Sequence, residues 1–206
     1  ALLISHDAIV GEMERGTMLL LLSYPIGRWQ VIMGKFIGHV AILSFATLLG
    51  YGAAAVALAV TEGAIDSSSL AAFGSMILSS ILLGGVFVAI GYLISALVAE
   101  RGTAGGIAIG VWLLCVLIYD MALLGLLVVD QGKTVSGGLL NALLLANPTD
   151  VYRLLNLGSG TAGALSGMAG VAENAALGPA ALVAALVAWT LVPLTAAAMV
   201  FSRREL

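Results

Sequence analysis

A Gly-Lys-Thr triplet, a serine between glycines, a His-Asp pair, a lone cysteine and seven methionines are the parts of this chain that could do chemistry. Gly132-Lys133-Thr134 ends like a phosphate-binding loop, in which backbone N–H groups cradle a nucleotide and the lysine meets its phosphates. Leu127 stands where that motif requires its first glycine, so no nucleotide site is read there. Ser159 lies between Gly158 and Gly160, but a nucleophilic serine needs a base in hydrogen-bond reach, and the two histidines, His6 and His39, are far upstream. His6 and Asp7 are adjacent and project from different helix faces, with no H-E-x-x-H or paired-cysteine pattern beside them. Cys115 cannot form an internal disulfide and reads as a small core residue. Met76, Met121 and Met168 could handle a soft metal, yet the methionines are dispersed and read as packing residues. No catalytic residue, cofactor or metal site is expected, and the chain reads as non-enzymatic.

The elements that must carry these residues are apolar. Of 206 residues, 61% are hydrophobic and 9% charged, against about 25% charged in an ordinary soluble domain. A net charge of -3 and scattered Lys and Arg give no basic stripe, so nucleic acid is not expected as a partner. Residues 36–60, 70–98, 104–129 and 179–201 each supply roughly the 20 apolar residues that cross a bilayer core as a helix. None alternates as a barrel strand would, and unsatisfied backbone groups are prohibitive in hydrocarbon. The fold class expected is all-α, a polytopic transmembrane helix bundle.

Orientation follows from the Lys and Arg bias. With four spans, Arg15, Arg28, Lys35, Arg101, Arg203 and Arg204 share one face, while Lys133 and Arg153 lie on the other. Both chain ends are thus expected in the cytoplasm. The chain opens at Ala1 without a positively charged region ahead of a short apolar core, so no signal peptide is read. Residues 1–4 read as the tail of an upstream apolar helix.

Asp120 is the only formal charge inside the four stretches, and an acid at membrane depth is a functional hypothesis by default. It falls about 24 Å up its helix, near the outer interface where Tyr119 also belongs. Two readings stay open: a solvated residue of the outer leaflet, or a pathway or gating residue.

Residues 1–35 form a cytoplasmic region. Gly11-Glu12-Met13-Glu14-Arg15-Gly16-Thr17 is charged, then a Thr17-capped run of Met18 and four leucines is stopped by Ser23-Tyr24-Pro25. That helix is too short to span, and a second start at residues 26–30 leads into the first full span. An interfacial anchor carried by Arg28 and Trp29 and a docking helix both fit. On the other side, the 130–178 connection holds Asn147-Pro148-Thr149-Asp150, an N-cap, a proline at the first helical position and an acid in the first turn. A short surface helix follows, its apolar stripe Val151, Leu154 and Leu155, with Asp150 and Arg153 facing outward as a docking surface. Residues 158–170 read as a flexible loop. Gly34 and Gly38, then Gly102, Gly106 and Gly110, form GxxxG rows, and Gly91, Ser95 and Ala99 a small-xxx-small row; both bundle packing and a subunit contact fit them.

At Glu12-Met13-Glu14-Arg15-Gly16-Thr17, with Leu20-Leu21-Leu22-Ser23-Tyr24-Pro25, Arg28 and Gly34-Lys35-Phe36-Ile37-Gly38, the chain resembles permeases of the ABC-2 type, whose fold is like that of type V exporters. The resemblance implies that Glu12, Glu14, Arg15, Gly16, Thr17 and Pro25 lie in the first cytoplasmic coupling region, against a separate ABC ATPase subunit. Ser5-His6-Asp7-Ala8-Ile9-Val10-Gly11-Glu12 and Asn147-Pro148-Thr149-Asp150-Val151-Tyr152-Arg153-Leu154-Leu155-Asn156-Leu157 look like the permeases that serve nitrous oxide reductase maturation. That narrower resemblance implies a six-helix permease of the bacterial inner membrane, paired with a second copy and a periplasmic accessory protein, in assembly of a copper-sulfur centre. By that resemblance, the first two of those helices are expected to be missing from this chain. A scaffold that transmits force without passing a solute, and an exporter of another substrate, are the alternatives.

Overall fold

The computed structural model describes residues 1–23, 25, 27–62, 67–130, 135–157 and 177–204, and among them every regular element is helical. Three short helices open the chain: α1 (Leu2–Ser5), α2 (Val10–Glu14) and α3 (Thr17–Leu22). They precede α4 (Arg28–Glu62) and α5 (Ser67–Leu97). Next, α6 (Arg101–Leu113) is followed by a π-helical turn, Leu114–Ile118, and then by α7 (Tyr119–Asp130). Two shorter helices, α8 (Gly137–Leu145) and α9 (Pro148–Leu157), then lead to α10 (Pro179–Arg203).

Four helical stretches are long and apolar enough to cross a membrane: α4, α5, α6 with α7, and α10. The shortest, α10 at 25 residues, reaches about 38 Å at 1.5 Å per residue, beyond the roughly 30 Å of a hydrocarbon core. Ile37, Phe45 and Val60 on α4 and Met121, Val128 and Val129 on α7 stand exposed, as lipid-facing residues do and as water would not tolerate. All four expected spans are present. The first starts earlier than residue 36, because the Gln30 side chain accepts the Gly27 N–H at 2.9 Å and nucleates the helix there.

One helix was not expected. In α8, Ser136 is an extended N-cap whose Oγ accepts the Leu139 N–H, and it is followed by Gly137-Gly138, which reads as a loop. The flexible loop expected at 158–170 lies outside the described residues.

The chain divides into two compact units. The first comprises residues 1–45, 84–113 and 188–206; the second, 46–83 and 114–187. The core of the first gathers Ala8, Ile9 and Met18 from the opening segment with Ile32 of α4, Val88, Ala89, Tyr92 and Ala96 of α5, and Leu194, Ala197 and Phe201 of α10. In the second, Leu140 and Leu144 of α8, Val151 and Leu154 of α9 and Leu182 and Leu186 of α10 are buried.

Candidate functional site

In the first unit the opening segment is inserted rather than laid on a surface. The N–H groups of Ile9 and Val10, which no residue of α2 can satisfy, both donate to Ser95 Oγ of α5 at 3.0 Å. Ser95 thereby caps a helix that lies far away in sequence. Beside it, α5 carries Gly91, where a Cβ would stand 2.0 Å from Ser5 Oγ and 3.3 Å from the His6 backbone nitrogen. Of the small-residue row, then, Gly91 and Ser95 seat the opening segment, while Ala99 lies exposed beyond the end of α5. Gly34, Gly38, Gly102, Gly106 and Gly110 have nothing within 4 Å of an added Cβ, so packing among the described residues does not account for them.

Charged contacts fasten the segment. Lys35 of α4 pairs with Glu12 at 2.5 Å and donates to the Ala8 carbonyl at 2.7 Å. Glu14 Oε1 accepts the Arg101 N–H at 2.7 Å, placing a carboxylate on the positive end of α6. The Arg101 side chain pairs with Asp7 at 3.0 Å, and Arg15 reaches the same carboxylate at 4.0 Å. Arg204 donates to the Val98 carbonyl at 2.7 Å, where α5 has ended, and its other nitrogen lies 3.3 Å from Met13 Sδ. An open groove of about 320 Å³ runs between the segment and α4, lined by Asp7, Glu12, Arg15, Lys35 and His39 among others.

Among the residues expected in coupling, Glu14, Arg15, Gly16 and Thr17 are exposed together on the turn between α2 and α3, and Glu12 turns inward. Gly16 has φ of +70°, a conformation an L side chain rarely adopts, so a glycine is required there. Thr17 does not cap α3 as expected; it is the first helical residue, and its hydroxyl donates back to the Glu12 carbonyl at 3.3 Å. Pro25 lies exposed in the bend before α4. Along α3, Met18 is 1% exposed, whereas Leu20 is 70% exposed. Arg28 is no mere surface anchor, since its guanidinium donates to the carbonyls of Phe201, Ser202 and Arg204 and closes the negative end of α10. Sequence reasoning missed Ser95 and Arg28 as caps because both act on helices remote in the chain.

The second unit holds a polar cluster. Asp120 of α7 is bonded to Arg153 of α9, whose second nitrogen lies 3.5 Å from the Val116 carbonyl in the π-helical turn. Asn147 does two things: Oδ1 accepts the Thr149 N–H at 3.2 Å, as its expected N-cap role requires, and Nδ2 donates to the Cys115 carbonyl at 2.8 Å. Tyr119 OH donates to the Leu143 carbonyl of α8 at 2.7 Å. A π-turn frees carbonyls from the helical ladder, and here α9 supplies their donors. On the far side of α9, Tyr152 OH meets Ser80 Oγ at 3.1 Å and Asn156 Oδ1 accepts from Ser79 Oγ at 3.1 Å.

Two expectations are corrected by this arrangement. Asp150 does not face outward: it has 0% exposure. Asn147, Asp150, Val151 and Leu154 follow an i, i+3, i+4, i+7 spacing, so Asp150 shares the inward stripe that was assigned to apolar residues alone. Arg153, also expected to point outward, turns to Asp120, and Asp120 is an ion-paired residue rather than a solvated one. An isolated acid at membrane depth costs about 3 kcal/mol, which explains why it recruits a guanidinium.

The sequence model of the ABC-2 family transporter proteins matches residues 1–206. This chain belongs to that family. Two relatives, each named "Probable ABC transporter permease protein NosY", come from Stutzerimonas stutzeri and Pseudomonas aeruginosa. They are 47% and 46% identical to it, over 99% and 100% of this chain and 74% and 75% of their own lengths. The molecule is thus the permease subunit of an ABC transporter, a multi-pass membrane protein, and the two clusters described above are those of an ABC-2 permease.

Proposed function

We propose that the exposed turn of residues 14–17 receives the motion of a separate cytoplasmic ATPase subunit and that the clamped opening segment passes it to the bundle. The observation that carries this reading is the set of ties on residues 5–14, to α4 through Lys35, to α5 through Ser95 and to α6 through Arg101. A push on the turn is delivered to three long helices at once, because the segment cannot yield without breaking buried contacts. The narrower reading is service to nitrous oxide reductase, in assembly of its copper-sulfur centre, by two permease copies in a bacterial inner membrane. It rests on the sequence resemblance and on the name shared by both relatives. We place a periplasmic accessory protein at the 130–178 connection, with Asp150 and Arg153 fixing the attitude of α9 rather than touching the partner themselves. The glycine rows on α4 and α6, open in this chain, are offered to the second copy.

One observation favours transmission of force without solute passage. Asp120 is the only formal charge within residues 36–60, 70–98, 104–129 and 179–201, and it is already paired. Hydrophilic ions need polar wall groups.

Replacing Arg15 with Glu tests the coupling reading, since Arg15 is exposed and its pairing with Asp7 is loose at 4.0 Å. In the complete transporter, ATP hydrolysis is expected to continue while reductase maturation falls at least about tenfold, the equivalent of about 1.4 kcal/mol of docking. Full maturation by that variant rejects the turn as the coupling point.

A further inference from the structure

We propose that Asp120 and Asp150 form a proton-binding site, in which Asp150 carries a proton and donates it to Asp120 beneath the shared guanidinium of Arg153. The geometry brings two carboxyl groups to a single nitrogen: Arg153 Nη1 is bonded to Asp120 Oδ2 and lies 3.5 Å from Asp150 Oδ1. Two acids against one cation leave an excess negative charge in a site where the Asp150 side chain is 0% exposed. By hydrogen-bond geometry both Asp150 oxygens and Asp120 Oδ1 are buried without a donor, although Asn147 stands close enough to favour the Asp150 charge. An uncompensated buried carboxylate costs several kcal/mol. One proton removes the excess charge and turns Asp150 into a neutral O–H donor for Asp120, leaving its other oxygen to the Arg153 guanidinium. A metal cation would instead be repelled by Arg153, and the described residues contain no cluster of three His, Cys, Asp or Glu side chains.

The surroundings support that assignment. From the span, Cys115, Tyr119 and Asp120 face Asp150; from its own helix, Arg153; α8 brings no titratable residue. Burial first, then the neighbouring Asp120, pushes the Asp150 carboxyl up to about 7, with Asn147 and Arg153 opposing the rise. Loss of the proton sets two carboxylates against each other across one guanidinium, at the joint where α9 holds the π-helical turn of the span. The site is a proton-sensitive link between that span and the 130–178 connection, distinct from the coupling turn.

Isotope-edited infrared difference spectroscopy, with carboxyl-labelled aspartate in the full chain reconstituted in liposomes, tests it between about pH 5.5 and about pH 8.5. The wild type should show one protonated-carboxyl band that disappears with a midpoint near the value of about 7. Asp150→Asn, an isosteric change, should abolish the band, and Asp120→Asn should move it. Absence of the band from wild-type protein at the acid end overturns the proposal, whatever the variants do, and so does its persistence in Asp150→Asn. Stability gives a second readout. Because the folded-state value lies above the ordinary aspartate value of 3.8, the proton's contribution is complete below that value and is lost as pH rises through about 7. Wild-type stability relative to Asp150→Asn should fall over that window, and a difference independent of pH contradicts the site.

Discussion

Single glycines separate two kinds of surface on this permease. At Gly91 an added Cβ would stand 2.0 Å from Ser5 Oγ, close to backbone that cannot withdraw, whereas at Gly106 it would meet nothing within 4 Å. Overpacking of this kind costs about 1–3 kcal/mol, while alanine is about 1 kcal/mol better than glycine inside a helix. Gly91→Ala should therefore lower the thermal unfolding midpoint in detergent, and Gly106→Ala should leave it unchanged or raise it. If Gly106→Ala instead weakens recovery of two-copy complexes, the open row is the subunit contact. Side-chain type was enough to single out Asp120 in the sequence, because a charge in an apolar run is conspicuous. Its partner was not, because Arg153 lies 33 residues further on, and pairing across that separation leaves no periodic trace. Asp150 was misplaced for a related reason: its position on the inward stripe is visible, but an acid there makes sense only once Asp120 and Arg153 are beside it.

Helices of this chain are closed by residues of other helices. Ser95 starts α2, Glu14 starts α6, and Arg28 and Arg204 finish α10 and α5. Only the Asn147 cap of α9 was legible, since an N-cap two residues ahead of the N–H it accepts is a local pattern. Asn147→Ala removes both that cap and the donor to the Cys115 carbonyl, and loss of a cap costs about 0.5–2 kcal/mol. The variant should open the 130–178 connection to limited proteolysis several-fold faster while leaving ATPase binding intact, and unaltered cleavage would show that α9 is held by its apolar face alone. Long apolar runs made the four spans plain, but α8 was missed because Gly137-Gly138 signals a turn unless Ser136 is seen capping it.

At the level of the whole molecule, the family is established and four helices are long and apolar enough to span, and orientation is the first thing to be tested. Cysteines placed singly at Ser202 and at Ser136, with Cys115 replaced, should differ under an impermeant thiol reagent added outside. Reaction at Ser136 alone is expected from the charge bias, and equal reaction rejects it. The coupling reading makes the sharper demand, because it requires the Gly16 turn to touch another protein. Thr17 is exposed on that turn, and Ser136 caps α8 at the other expected face. The most direct measurement is site-specific cross-linking in the assembled transporter, with a photoreactive residue at Thr17 and, as control, at Ser136. A nucleotide-dependent adduct between position 17 and the ATPase subunit, with none from position 136, is the predicted result; an ATPase adduct from position 136 and none from 17 would contradict the account.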